Sequence, residues 1–166
     1  ERPQGSIVVM ATNMTLKEKK FSKLMDKYGS EADIIKLPCP ALVELVERGI
    51  LEGEVIESAI KSCFSDIDIN KVSSVVLGCT HYIFLRDSIR RVLGSKVNII
   101  DGNNGTVRHL KDVLIESSLL YDENTEESDL IIYNSKDDEE IINLSKKLLN
   151  FNLEQKEHLN FENSAS

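Results

Sequence analysis

Short apolar runs alternate with amphipathic stretches along the chain, and the two periods predict alternating strands and helices. Ser6–Ala11, Asp33–Leu37, Val72–Leu77, Lys96–Ile100 and Leu130–Tyr133 are rich in Ile, Val and Leu and have the length of buried strands. Between Leu16 and Tyr28 the period changes. Leu16, Phe21, Leu24, Met25 and Tyr28 fall mostly three or four residues apart, which predicts one helix with one apolar face. Thr12 or Thr15 is placed to cap that helix, and Gly29 to end it. Further helices are predicted over Ala41–Glu47, Glu52–Phe64 and Phe84–Leu93, from the Asp101–Gly105 loop to about Ser118, and over Asp137–Leu149. Pro38-Cys39-Pro40 reads as a rigid corner, because each proline fixes φ and restricts its predecessor. Residues 119–128 and those from Asn150 onward are polar, so exposure and a frayed tail are expected.

Strands separated by helices of about three turns imply βαβ units, hence an α/β fold in three layers around a mostly parallel sheet covered on both faces. A length of 166 residues suits one ordinary domain or two small lobes. The apolar share of 41% and charged share of 29% describe a soluble globular protein. A net charge of −8 without a basic cluster argues against nucleic acid or an anionic membrane as partner. No apolar run approaches the roughly 20 residues of a membrane span, and no signal-peptide core is visible. Cys39, Cys63 and Cys79 are odd in number and widely spaced, which speaks against a disulfide framework and for a reducing cytoplasm. With no Cys-x-x-Cys pair and three histidines (His81, His109, His158), no metal site is expected. The Gly102–Gly105 loop lacks the spacing and the lysine of a phosphate-binding loop. The acidic stretch Asp122–Glu140 reads as solvated surface.

The chemistry concentrates in Leu77-Gly78-Cys79-Thr80-His81-Tyr82, at the end of the third predicted strand. In open α/β sheets ligands bind beyond the carboxyl ends of the strands. A strand that stops at glycine and then offers a thiol, a hydroxyl and an imidazole suits that position. The thiolate is the working form of cysteine, and a nearby imidazole can generate it. An isolated Cys-x-His is more often a buried structural cysteine beside a hydrogen-bonded histidine. The surrounding segments turn the reading toward catalysis.

Taken together with three other segments, this stretch resembles the glutamate racemases of the aspartate/glutamate racemase superfamily. Ala11-Thr12-Asn13-Met14-Thr15 is similar to the family's threonine loop. Cys39-Pro40 followed by Leu42-Val43-Glu44-Leu45-Val46-Glu47-Arg48-Gly49 is similar to its Cys-Pro…Leu-Val…Glu-x-Gly segment. Ile99-Ile100-Asp101-Gly102-Asn103 with Thr106-Val107 is similar to the crossing between its lobes. The family's chains run roughly 100 residues longer on the N-terminal side, and the Asp-Ser-Gly and Ala-Cys-Asn-Thr segments of that part do not occur here. The resemblance therefore implies residues 1–102 as the second racemase lobe and 103–166 as the returning part of the first. Ile83, Glu18 and Phe21 depart from residues common in the family, and none of the three removes a proton-transfer group.

The resemblance also implies a reaction: inversion of glutamate at Cα by two thiols, without cofactor or metal, to supply D-glutamate for peptidoglycan. Cys79 then corresponds to the thiol of the second lobe, His81 to the residue that assists it, and Glu47 to the carboxylate that orients His81. Thr80 corresponds to a contact for the substrate's carboxylate or amino group. Thr12 and Thr15 read equally as substrate contacts and as helix caps. Cys39 and Cys63 read as core or boundary residues, and His109 as exposed. With one of the two thiols, the chain by itself is expected to be inactive or nearly so. A homodimer or a complementary N-terminal half is the expected partner. The alternatives are a related aspartate or hydantoin racemase, or a non-catalytic interaction module.

Overall fold

The computed structural model describes residues 5–30, 32–120, 130–135, 138–149 and 159–163. Its first compact unit, Glu1–Asn104, is built on a parallel sheet of four strands. These are β1 (Ser6–Ala11), β2 (Ile34–Pro38), β3 (Val72–Leu77) and β4 (Asn98–Asp101), side by side in the order β2-β1-β3-β4. The helices α1 (Asn13–Lys17), α2 (Lys19–Tyr28), α3 (Pro40–Glu47), α4 (Glu54–Cys63) and α5 (Arg86–Leu93) connect them, so the chain is α/β with a parallel sheet.

Register decides which side chains share a face. Val8 lies beside Val75, Met10 beside Leu77, and Val75 beside Ile99. With side chains alternating along each strand, these five point the same way, and all are buried. The crossovers from β2 to β3 and from β3 to β4 run in one direction across the sheet. Right-handedness therefore puts α3, α4 and α5 together on one face. Leu42 and Val46 of α3, Ile56 and Ile60 of α4, and Ile89 and Leu93 of α5 are the buried residues they contribute to the core. Each such side chain stabilises the fold by about 1.5–3 kcal/mol.

The β1-to-β2 crossover runs the other way, so α1 and α2 lie on the opposite face. Covering there is thinner than the even burial expected from the sequence. Neither helix has a buried residue, and Ile100 is 43% exposed. The single helix expected over Leu16–Tyr28 is two helices. Thr12 caps a turn that starts at Asn13, accepting from the Thr15 amide at 3.2 Å. That turn closes when the Glu18 amide donates to the Thr15 carbonyl, and Glu18 takes extended angles (φ −64°, ψ 138°) before α2 begins. A five-residue helix is too short for periodicity to register.

Smaller differences have local causes. Tyr82–Leu85 is a 3-10 turn ahead of α5, and β4 begins at Asn98. The helix α6 (Asn103–Glu116) begins inside the stretch read as loop, because the Asp101 carboxylate accepts from the Asn103 amide at 3.0 Å. In the second compact unit, Gly105–Ser166, β5 (Leu130–Asn134) pairs in parallel with β6 (Leu159–Asn163), and α7 (Glu139–Leu148) is capped by Asp138. The tail expected to fray thus includes a strand, its backbone groups paired with β5. Leu119 and Leu120 are exposed. Residues 121–129, 136–137 and the rest of the tail (150–158 and 164–166) lie outside the described residues.

Candidate active site

Strand order reverses between β1 and β3: the chain leaves β1 toward one edge of the sheet and leaves β3 toward the other. At such a switch point the two exits diverge to opposite faces and leave a crevice at the carboxyl edge of the sheet. Thr12 and Cys79 each stand two residues beyond the paired Met10 and Leu77, so both emerge at this crevice. Gly78 makes the close passage possible. Its amide donates to the Met10 carbonyl at 2.8 Å, and a Cβ there would lie 2.9 Å from that same oxygen. Only glycine fits this position without moving β1.

Beyond Gly78 the chain tightens. The Tyr82 amide donates to the Cys79 carbonyl at 3.1 Å and the Phe84 amide to the His81 carbonyl at 3.2 Å. Within this turn Cys79 Sγ lies 3.6 Å from His81 Nδ1. On the other side of the ring, His81 Nε2 lies 3.3 Å from Glu47 Oε1, at the last residue of α3. A carboxylate only accepts, so Nε2 carries the proton that it donates to Glu47. That tautomer leaves the Nδ1 lone pair facing the thiol, ready to take its proton. The three groups form a line running from α3 to the strand end. His81 is half-buried and the Glu47 side chain is 65% exposed. An exposed pair of this kind contributes about 0.2–1 kcal/mol, so the contact with Glu47 adds little to the stability of the fold.

The other candidates fall in three groups. Thr80 is exposed on the turn itself. Thr12 and Thr15 sit together at the end of β1, with 2.9 Å between their hydroxyl oxygens, and Thr12 caps α1. Those contacts do not stop either hydroxyl from reaching a ligand as well, since a hydroxyl oxygen accepts twice and donates once. Cys39 is fully buried, Cys63 is half-buried, and His109 is exposed. Cys63 is the neighbour of Cys39, and this contact together with burial pushes the Cys39 thiol far above the ordinary cysteine value. It is a core group and stays protonated.

Two contacts were not legible in the sequence. Tyr82 is fully buried and its hydroxyl donates to the Cys39 carbonyl at 3.0 Å. Arg86 pairs with Asp101 and also donates to the Ile99 carbonyl at 3.1 Å, binding the start of α5 to the end of β4. In each case the partner lies far away in the chain, and periodicity does not report such pairs. Among the described residues no group of three or more His, Cys, Asp or Glu side chains could hold a metal ion, and no helix is long and apolar enough to cross a membrane.

No family model matches the chain. A glutamate racemase of Clostridium perfringens (strain SM101) is 48% identical over 145 residues, which cover 87% of this chain and 55% of that one. A glutamate racemase of Clostridium botulinum (strain Hall) is 50% identical over 146 residues, covering 88% and 56%. Among solved structures, the glutamate racemase of Campylobacter jejuni superposes with a TM-score of 0.70 at 29% identity, over 89% of this chain and 56% of that one. The Francisella tularensis glutamate racemase, solved with D-glutamate, shares the fold with a TM-score of 0.76 at 23% identity, over 95% and 57%. Over the 145 residues that it shares with the first of these relatives, the chain is therefore a homologue of the glutamate racemases, and it spans about half of their length.

Proposed function

We propose that this chain carries one half of a glutamate racemase active site, the half whose acid/base is Cys79. The observation that supports this reading best is the line Cys79–His81–Glu47 at the switch point of the sheet. His81 Nδ1 takes the thiol proton, leaving a thiolate beside an imidazolium that donates to Glu47. The thiolate removes the α-proton of a bound amino acid and becomes a thiol again. The electron pair left on Cα spreads into the α-carboxylate, where fixed donors stabilise it. Thr80 at the turn and the Thr12–Thr15 pair are the hydroxyls offered to that carboxylate and to the ammonium group. Return of a proton to the same face exchanges hydrogen with solvent, whereas inversion needs a second acid on the opposite face.

Cys39 does not serve as that acid. It is fully buried, and its thiol is engaged with the Leu37 carbonyl and with Cys63. We assign the second thiol to the portion of the relatives' length that this chain does not span, and residues 1–102 to the lobe that holds Cys79. The same reading places the activity in the cytoplasm, in supply of D-glutamate to peptidoglycan, with a complementary half or a second copy as partner.

Substrate class is tested by protection. Iodoacetamide alkylation of the Cys79 peptide, followed by mass spectrometry, is measured with added D- or L-glutamate, aspartate or hydantoin. Slowing by glutamate at concentrations where the others have no effect is the expected result. Equal protection by aspartate or by hydantoin would move the assignment to a neighbouring racemase, and no protection by any of them would remove the amino-acid reading.

A further inference from the structure

Two adjacent residues of the site turn hold opposite ends of one helix. His81 meets Glu47, the last residue of α3, while the neighbouring Tyr82 donates to the carbonyl of Cys39, the residue that caps the start of α3. At 1.5 Å per residue the eight residues of α3 extend about 12 Å, so these two contacts are far apart along the helix. A single contact would leave the turn free to pivot on it. Two contacts at separate points fix both the position and the tilt of the turn against α3.

We propose that Tyr82 is a positioning residue for the proton-transfer site, holding the Cys79–His81 turn in the one orientation that brings His81 between Cys79 and Glu47. This inference rests on the reading of Cys79 and His81 as the working pair. The surroundings of Tyr82 suit the role. Its ring is fully buried, and burial holds the phenol well above its ordinary range, so the hydroxyl keeps the proton that it donates. The acceptor is firm as well: the Cys39 carbonyl also takes the Leu42 amide of the first turn of α3 at 3.2 Å. The Tyr82 hydroxyl donates its one proton to α3 rather than to the Cys79 or His81 side chain, so its effect passes through the backbone of the turn and through that helix.

The test is a double-mutant cycle on the rate at which iodoacetamide modifies Cys79 in the full chain, followed on the Cys79 peptide. Tyr82→Phe keeps the ring and removes the hydroxyl, and Glu47→Gln weakens the other contact. Each is expected to slow alkylation by between about two- and tenfold, the range of one net hydrogen bond. The double variant is expected to be no slower than the slower single one, because both act on one orientation. Ile60→Val, a fully buried substitution in α4 that loosens the core to a comparable extent, is expected to leave the Cys79 rate unchanged. An unchanged rate in Tyr82→Phe, a double variant whose losses multiply, or an equal slowing by Ile60→Val would each overturn the proposal. Alkylation needs no substrate. A chain that shows this coupling but no protection by glutamate would therefore lose the glutamate reading and keep the positioning role of Tyr82.

Discussion

In the proposed site Cys79, His81 and Glu47 act in series, and their exposure ranks what each would contribute. The imidazole is the base within reach of the thiol among the described residues, and general-base assistance contributes about 10²–10⁴-fold. His81→Asn should therefore slow alkylation of Cys79 at neutral pH, and by more than any other single change in this line. Glu47→Gln should cost only a few-fold, because a carboxylate that is two-thirds exposed is screened by water. Stopped-flow or quenched alkylation on the two variants gives both numbers. A loss in Glu47→Gln as large as that in His81→Asn would mean that the carboxylate does more than orient the ring. Cys79 and His81 were legible as a pair because two residues of sequence separate them. Glu47 reached the site through the resemblance of its helix segment alone. Nothing in local pattern says that the last residue of α3 meets a turn so much later in the chain.

The elements that build the site depend on one close approach. Gly78 lets β3 pass the end of β1 so nearly that a methyl group would sit 2.9 Å from the Met10 carbonyl oxygen. Backbone cannot yield as a flexible side chain does. Gly78→Ala should therefore destabilise the fold by roughly 1–3 kcal/mol and displace the turn carrying Cys79. Urea unfolding, with the Cys79 alkylation rate measured alongside, checks both effects, and a stability within error of the parent would contradict the account. The strands were readable because each is a short Ile- and Val-rich run bounded by turn residues. The break at Glu18 was not, since five residues of α1 hold too few apolar positions to show a phase, and the cap set by Thr12 decides where the helix starts. The strand β6 escaped notice for a related reason: Leu159–Asn163 alternates polar with apolar residues only once or twice, and its pairing with β5 is long-range.

The molecule as a whole should be most sensitive to alkali. Its buried Cys39 keeps a proton that the unfolded chain releases near the ordinary value of 9.0, and Tyr82 does the same at higher pH. For these two groups the fold binds more protons than the unfolded chain above that value, so their contribution is fully present below about pH 9 and falls as pH rises. Cys63, lowered by the same contact with Cys39, instead adds stability as pH climbs toward 9 and none of the decline above it. The slope for one such proton is about 1.4 kcal/mol per pH unit. Urea midpoints measured on either side of that pH should show the decline, and Cys39→Ala should flatten it. An unchanged midpoint would place Cys39 in contact with water.

At this scale the α/β class was legible in the sequence, and so was the strand end at which the proposed site stands. The switch point between β1 and β3 depends on strand order, which a succession of elements does not contain. The relatives and the fold agree on what the chain resembles, and the chain spans about half of the relatives' length. The central claim is narrower: a single thiol, Cys79, works as the base on one face of glutamate. It is tested most directly by proton NMR of L- and D-glutamate incubated with the chain in D2O, beside Cys79→Ala. The account predicts slow loss of the α-proton signal from one enantiomer, without inversion, and none in the variant. Exchange that survives Cys79→Ala, inversion of both enantiomers at the pace of an intact racemase, or no exchange at all would contradict it.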